Sequence, residues 1–163
     1  MPRVYVSVGS NIEREFHIRV ALHSLREQYG QLIVSRVFES EAVGFSGDDF
    51  LNLVVGFDTA TSVWDVVARL RDIETTHARD RRIPRFSPRT LDLDLLLYGD
   101  LIMDEGGVKL PREEITRYAF VLGPLTEIAG EMRCPLCGRC YIDLWREFDQ
   151  ASQPLWPVTI DIY

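Results

Sequence analysis

The run Leu91-Asp-Leu-Asp-Leu-Leu-Leu-Tyr98 admits few structures. Leucine alternates with aspartate at its start, and a period of two residues is that of a strand. As a strand it puts Asp92 and Asp94 on one face, with Leu91, Leu93 and Leu95 directed into a core on the other. Its near-continuous leucine content predicts a central place in a sheet. The segment before it cannot prolong a helix from upstream, because Pro84 and Pro88 forbid it. Residues 79 to 89 hold five arginines, at 79, 81, 82, 85 and 89, against the single acid Asp80. That window carries +4 in a chain of net charge -7, which leaves -11 for the remainder. Positive charge so concentrated in an acidic chain calls for an anion or partner carboxylates.

The rest of the chain supplies two strand-helix-strand units around this segment. Val4 to Val8 alternates as a first strand and ends at the turn Gly9-Ser10-Asn11. Residues 12 to 29 are expected to be helical, with Phe16, Val20 (with Ala21) and Leu25 as the apolar stripe and Gly30 as the stop. Leu32 to Phe38 reads as one strand, 39 to 49 as a loop broken by Gly44 and Gly47, and Phe50 to Phe57 as a third strand. Thr61 or Ser62 caps a second helix with Val63, Val66, Val67, Leu70 and Ile73 on one face. Leu91 to Tyr98 is the fourth strand. Near the end, helix is expected from Pro124 to Ala129 and again from about Tyr141 to Phe148. This order predicts an α+β fold with a ferredoxin-like β-α-β-β-α-β core. The sheet is mostly antiparallel, with helices on one face and a C-terminal extension, in one domain spanning 1–163.

Composition narrows the class. The 163 residues are 46% hydrophobic and 26% charged, as in an ordinary globular chain. No apolar run approaches the roughly 18 residues of a membrane span, and the first residues lack a signal peptide's pattern. A cytoplasmic protein with no membrane partner is expected. A pI near 5.0 argues against nucleic-acid binding, which draws on a basic face.

Two carboxylates side by side repel unless they share a cation, and magnesium held by one or two carboxylates and substrate phosphates meets that need. A structural ion network with arginines such as Arg89 is the alternative for the aspartates alone. Arginine forks on a proline-stiffened loop suit phosphate oxygens. There is no Gly-x-x-x-x-Gly-Lys-Ser/Thr loop and no Gly-x-Gly-x-x-Gly, so a nucleotide would be held by side chains and metal. Glu74, closing the second helix, could accept from a ribose hydroxyl or serve as a surface carboxylate. Phe50, Asn52, Phe86 and Phe120 could form an aromatic slot with one amide for a flat heterocycle. Asn52 is the telling member, because a polar amide on an apolar strand needs partners. Cys134, Cys137 and Cys140 form one cluster rather than a spaced disulfide framework. A turn of free thiols is the simpler reading, and zinc with a further ligand from elsewhere the other.

These residues together resemble the 6-hydroxymethyl-7,8-dihydropterin pyrophosphokinase family. The match is carried by Gly9-Ser10-Asn11, Phe50-Leu51-Asn52, Glu74, Leu110-Pro111 and Phe120-Val121-Leu122 with Pro124-Leu125. Its most specific part is Ser87-Pro88-Arg89-Thr90-Leu91-Asp92-Leu93-Asp94. The resemblance implies pyrophosphate transfer from ATP to a dihydropterin, with Asp92 and Asp94 ligating two magnesium ions. It implies that Arg79 and Arg89 contact the phosphates while Arg81 closes over ATP. Glu74, Arg71, Arg85, Arg112 and Arg117 fall on the nucleotide side. Ser40, Val43, Gly44, Phe50, Asn52, Phe86 and Phe120 fall on the pterin side, in a monomer or weak homodimer. The chain departs from the family pattern at Ala78, Phe86, Arg112 and Tyr118, where glycine, tryptophan, histidine and arginine are usual, with Arg117 beside the last. A weakened pterin- or nucleotide-binding paralogue, or a kinase for a related pterin, is the alternative reading.

Overall fold

The computed structural model describes residues 1–41, 49–78 and 91–162. The order along the chain is β1 (Arg3–Ser10), α1 (Arg14–Tyr29), β2 (Ile33–Val34), β3 (Val37–Ser40), β4 (Phe50–Asp58), α2 (Val63–Ala78) and β5 (Asp92–Tyr98). Then come β6 (Met103–Glu105), β7 (Val108–Leu110), α3 (Glu114–Arg117), α4 (Ala119–Ala129), α5 (Tyr141–Glu147) and β8 (Trp156–Val158). The main sheet runs β5-β1-β4-β3-β8, and every neighbouring pair is antiparallel. Its first four strands have the ferredoxin-like order expected. β8 adds a further edge, and β6 and β7 form a separate hairpin.

Alternation in three strands builds the core. Val4, Val6 and Val8 of β1, Leu53, Val55 and Phe57 of β4, and Leu93 and Leu95 of β5 all face one way. There they meet Ile18, Ala21, Leu22 and Leu25 of α1 and Val66, Leu70 and Ile73 of α2. Each such side chain removed from water contributes about 1.5–3 kcal/mol. The opposite face carries Tyr5, Val54, Leu96 and Leu97, covered by Ile115 of α3, Val121, Leu122 and Leu125 of α4, and Tyr141 of α5. The two core helices therefore share a face, and the C-terminal extension closes part of the other. No described helix is long and apolar enough to cross a membrane.

Several expectations need correction. β5 is not central: among the described residues it is an edge of the sheet. Its leucines are buried because both its faces are covered and its outer edge is occupied. The Leu93 amide donates to Glu74 Oε2 at 3.2 Å, and the Arg112 amide donates to the Leu96 carbonyl at 3.0 Å. Leu96 is itself the extra residue of a bulge, since Tyr5 pairs with Leu97 and Val6 with Leu95. That bulge turns two successive leucines toward the second face, into the cluster that holds Ile115 of α3 and Leu122 of α4.

The apolar stripe of α1 keeps Ala21 and Leu25 but is otherwise rotated from the expected one. His17, Ile18, Ala21, Leu22 and Leu25 are buried, whereas Phe16 is 55% exposed. A buried histidine disguises the period; its Nδ1 lies 2.7 Å from the Ile12 carbonyl and 3.1 Å from that of Glu13, where it serves the start of the helix. The expected strand from Leu32 to Phe38 is two strands, β2 and β3. At the break Ser35 keeps its place beside Val54 through backbone and hydroxyl, while the Arg36 amide turns away to Glu127 of α4 at 2.8 Å. Helix α4 begins at Ala119, five residues before Pro124. The proline removes one amide from the ladder, and burial of most of the surrounding helix outweighs that loss. Ser62 is the residue that caps α2, accepting the Asp65 amide at 3.1 Å.

The rotated stripe has a direct test. Ile18→Ala is expected to lower unfolding free energy by about 2–5 kcal/mol, and Phe16→Ala by less than about 0.5 kcal/mol. Urea midpoints of the two variants compare them; equal losses would restore the original stripe.

Candidate active site

Where α4 stops covering the second face of the sheet, that face turns polar and a cavity opens. On β1 the outward series runs Tyr5, Ser7, Gly9; on β4 it runs Val54, Asn52, Phe50; on β5 it runs Leu97, Asp94, Asp92. Strand pairing places them in rows across the sheet. Asp92, Gly9 and Asn52 form one row, and Asp94, Ser7 and Val54 the next. The cavity, about 250 Å³, is lined by Ser7, Gly9, Ser40, Glu41, Phe50, Asn52, Asp92, Asp94, Tyr118 and Phe120.

Asn52 is buried, and its Nδ2 donates to Ser40 Oγ at 3.3 Å. Its amide lies across the backbone of β1, which is why position 9 is glycine. A Cβ there would stand 2.7 Å from Asn52 Oδ1. The cavity's far wall is a stacked aromatic pair, Tyr118 and Phe120, with centroids 5.1 Å apart and planes at 16°. Phe120 enters through the first turn of α4, and Tyr118 stands just before it with extended backbone. Asp92 and Asp94 are half-buried on the opposite side. Arg112, delivered by the segment after β7, reaches Asp94 at 3.5 Å and Glu114 at 2.7 Å.

Of the residues expected from sequence, the structure brings Ser40, Phe50, Asn52, Phe120, Asp92 and Asp94 to one cavity and sets Arg112 at its edge. Glu74 is tied through one oxygen to the β5 backbone between the two aspartates. Arg117 points to Glu113 at 3.3 Å, and Arg71 is exposed; neither lines the cavity. Arg79, Arg81, Arg85, Arg89, Phe86, Val43 and Gly44 lie outside the described residues. Ser7, Glu41 and Tyr118 were not among the expected site residues. Ser7 was visible in principle, since it follows Tyr5 on the face opposite Val4, Val6 and Val8. Tyr118 had a weaker signal, an aromatic two residues before another at the start of a helix. The cysteines are free thiols, and among the described residues no three His, Cys, Asp or Glu side chains are placed to hold a metal ion.

The family model described as 7,8-dihydro-6-hydroxymethylpterin-pyrophosphokinase (HPPK) matches residues 5–130. The chain belongs to this family. A relative from Pseudomonas aeruginosa, 2-amino-4-hydroxy-6-hydroxymethyldihydropteridine pyrophosphokinase, is 36% identical over 137 residues, which cover 82% of this chain and 84% of the relative. The bifunctional protein FolKE of Lactococcus lactis is 33% identical over 78% of this chain, but the match spans only 38% of its own length. Among solved structures, wild-type Plasmodium falciparum HPPK-DHPS with SDX-DHP superposes with a TM-score of 0.69 over 90% of this chain and 43% of the other. At 13% identity that likeness concerns the fold.

The close approach at Gly9 sets up a double-mutant cycle. Gly9→Ala is expected to displace the Asn52 amide and cost about 1–3 kcal/mol of stability. In an Asn52→Ala background the same change is expected to cost less than about 0.5 kcal/mol. Additive losses in denaturant unfolding would show that Asn52 is not what position 9 accommodates.

Proposed function

We propose that the chain transfers a pyrophosphoryl group from ATP to the hydroxymethyl oxygen of 6-hydroxymethyl-7,8-dihydropterin and releases AMP. The observation that carries this reading is one cavity with an amide and an aromatic wall on one side and two aligned carboxylates on the other. A pterin presents paired donors and acceptors on a flat ring. Asn52, held by Ser40, supplies a fixed amide to that ring's edge, while Phe50 and Phe120 supply its apolar faces. Ordering the ring this way turns its hydroxymethyl group toward Asp92 and Asp94.

The donor set also suits the metal that the family uses. Two carboxylates supply hard oxygens but not a full shell, which fits magnesium completed by phosphate oxygens and water. When bound there, magnesium would neutralise charge on the triphosphate. Asp92 and Asp94 would hold it, and the arginines at 79, 81, 85 and 89 would provide further positive charge; the chain runs from them directly into β5. Arg112 and Glu74 complete the nucleotide side of this proposal, with Arg71 and Arg117 as outer contributors.

The step itself is simple to write. The hydroxymethyl oxygen bonds to the β-phosphorus as the bond from that phosphorus to the α,β-bridging oxygen breaks. AMP leaves with the bridging oxygen, and the hydroxyl proton passes to water. Such transfer asks mainly for positioning and charge neutralisation, so no strong protein base is needed. Tyr118 replaces a usual cation with a neutral ring, and it adds to the aromatic wall rather than to phosphate binding. A cytoplasmic setting, where ATP is plentiful, belongs to this reading.

Asp92→Ala and Asp94→Ala are each expected to lower AMP release at least about a thousandfold, with unchanged circular dichroism. Asn52→Ala is expected to raise KM for the pterin about 10- to 100-fold and leave KM for ATP within twofold or so. Turnover near the unsubstituted rate in either aspartate variant would remove the carboxylates from the mechanism.

A further inference from the structure

The cysteine cluster lies beyond residues 5–130, the part matched by the family model, and the proposed reaction does not use it. Its backbone is a tight hairpin. The Cys134 amide donates to the Arg139 carbonyl at 2.8 Å, the Gly138 amide donates to the Cys134 carbonyl at 2.8 Å, and Arg133 bridges to Cys140. Gly138 takes a φ of 72°, which few other residues adopt readily. Arg133 adds a bond to the Gly138 carbonyl at 2.8 Å. This hairpin holds Cys134 and Cys137 in one tight turn.

The backbone of Leu136 and Cys137 and the Cys137 thiol lie about the Cys134 sulfur, with the Tyr141 hydroxyl beside it. Burial pushes the Cys134 thiol up, and these groups outweigh it, holding the thiol below its ordinary value. Tyr141 is wholly buried, and its hydroxyl has no hydrogen-bond partner. Burial, together with the Cys134 and Cys137 sulfurs, pushes that hydroxyl well above its usual range, so it stays protonated. The exposures of the two cysteines are opposite, with Cys134 6% exposed and Cys137 open to solvent.

We propose that Cys134 and Cys137 are a reversible dithiol–disulfide site, with exposed Cys137 meeting an external low-molecular-weight disulfide and buried Cys134 resolving the adduct. In the first step the Cys137 thiolate attacks one sulfur of the disulfide, and one small thiol leaves. In the second, the Cys134 thiolate attacks the Cys137 sulfur and expels the other small thiol. Two cysteine thiols are oxidised to one disulfide, the external disulfide is reduced to two thiols, and protons balance between them. Burial of Cys134 explains why it resolves rather than initiates, since a reagent cannot reach it directly. The inference stands apart from the pyrophosphokinase reading, because it uses none of the same residues.

Intact-mass and peptide mapping after incubation of the full chain with glutathione disulfide test it. The unsubstituted protein and Cys140→Ser are expected to lose two hydrogens and show a 134–137 link without a lasting glutathione adduct. Cys134→Ser is expected to keep glutathione on Cys137, and Cys137→Ser to resist modification at Cys134. Tyr141→Phe is expected to slow closure about three- to tenfold by weakening the thiolate. A persistent Cys137 adduct in the unsubstituted protein, a link to Cys140, or thiols occupied by a tightly bound soft metal would each overturn the proposal.

Discussion

The backbone ladder that holds β1 between β4 and β5 is the constraint on which the site depends. Its register puts Gly9 opposite Asn52 on one side and opposite Asp92 on the other. Ser7 likewise sits between Val54 and Asp94. Because side chains alternate, a slip of one residue would turn every one of these groups into the apolar core. The core therefore enforces the register. Val4, Val6 and Val8 can be buried against α1 and α2 only in the arrangement that also aligns Asp92, Gly9 and Asn52. Small residues in the middle strand then leave room between the amide and the carboxylate. The site is a by-product of correct packing on the other side of the sheet.

What makes it a cavity is the incomplete cover of the second face. Helix α4 packs on β4 and β3, and together with Ile115 of α3 and Tyr141 of α5 it buries Tyr5, Val54, Leu96 and Leu97 but leaves the strand ends beyond them uncovered. Gly56 lets the Tyr5 ring lie flat under that cover, since a Cβ there would meet Cε1 at 2.9 Å. Beyond Tyr5 the same face becomes Ser7 and Gly9, too small to fill the space. Tyr118 and Phe120 stand at the margin, one just outside the helix and one in its first turn. They form the wall where buried apolar surface gives way to polar strand ends.

Much of this was legible in the sequence where a single period governed. The strands β1 and β4, the stripe of α2 and the shared face of Asp92 and Asp94 all followed from alternation or helical spacing. Errors arose where a tertiary contact overrode the local pattern. His17 looked polar but is buried by its bonds to two carbonyls, so the phase of α1 was misjudged. Pro124 looked like a helix start but is carried inside α4 by surrounding burial. Leucine content marked β5 as buried but not where it sits, because a covered edge and a central strand bury the same side chains. Tyr118 entered the site through its stack on Phe120, and a pairing across the start of a helix has no period to betray it.

The balance of charge around Asp94 joins the fold to the proposed chemistry. A carboxylate pair on one strand face is unfavourable in isolation, so some positive group must answer it before any substrate arrives. Arg112 does so at arm's length. It is closer to Glu114, at 2.7 Å, than to Asp94, at 3.5 Å, and all three side chains are about one-third exposed. An ion pair that open to solvent contributes no more than about 1 kcal/mol. In the proposed reaction a divalent cation with its phosphates would replace this pair at little cost, with Glu114 keeping the displaced guanidinium beside the site. A tighter Arg112–Asp94 pair would stabilise the empty fold and oppose metal binding by the same amount. Dividing one arginine between two acids keeps the carboxylate folded in place and still ready to exchange partners.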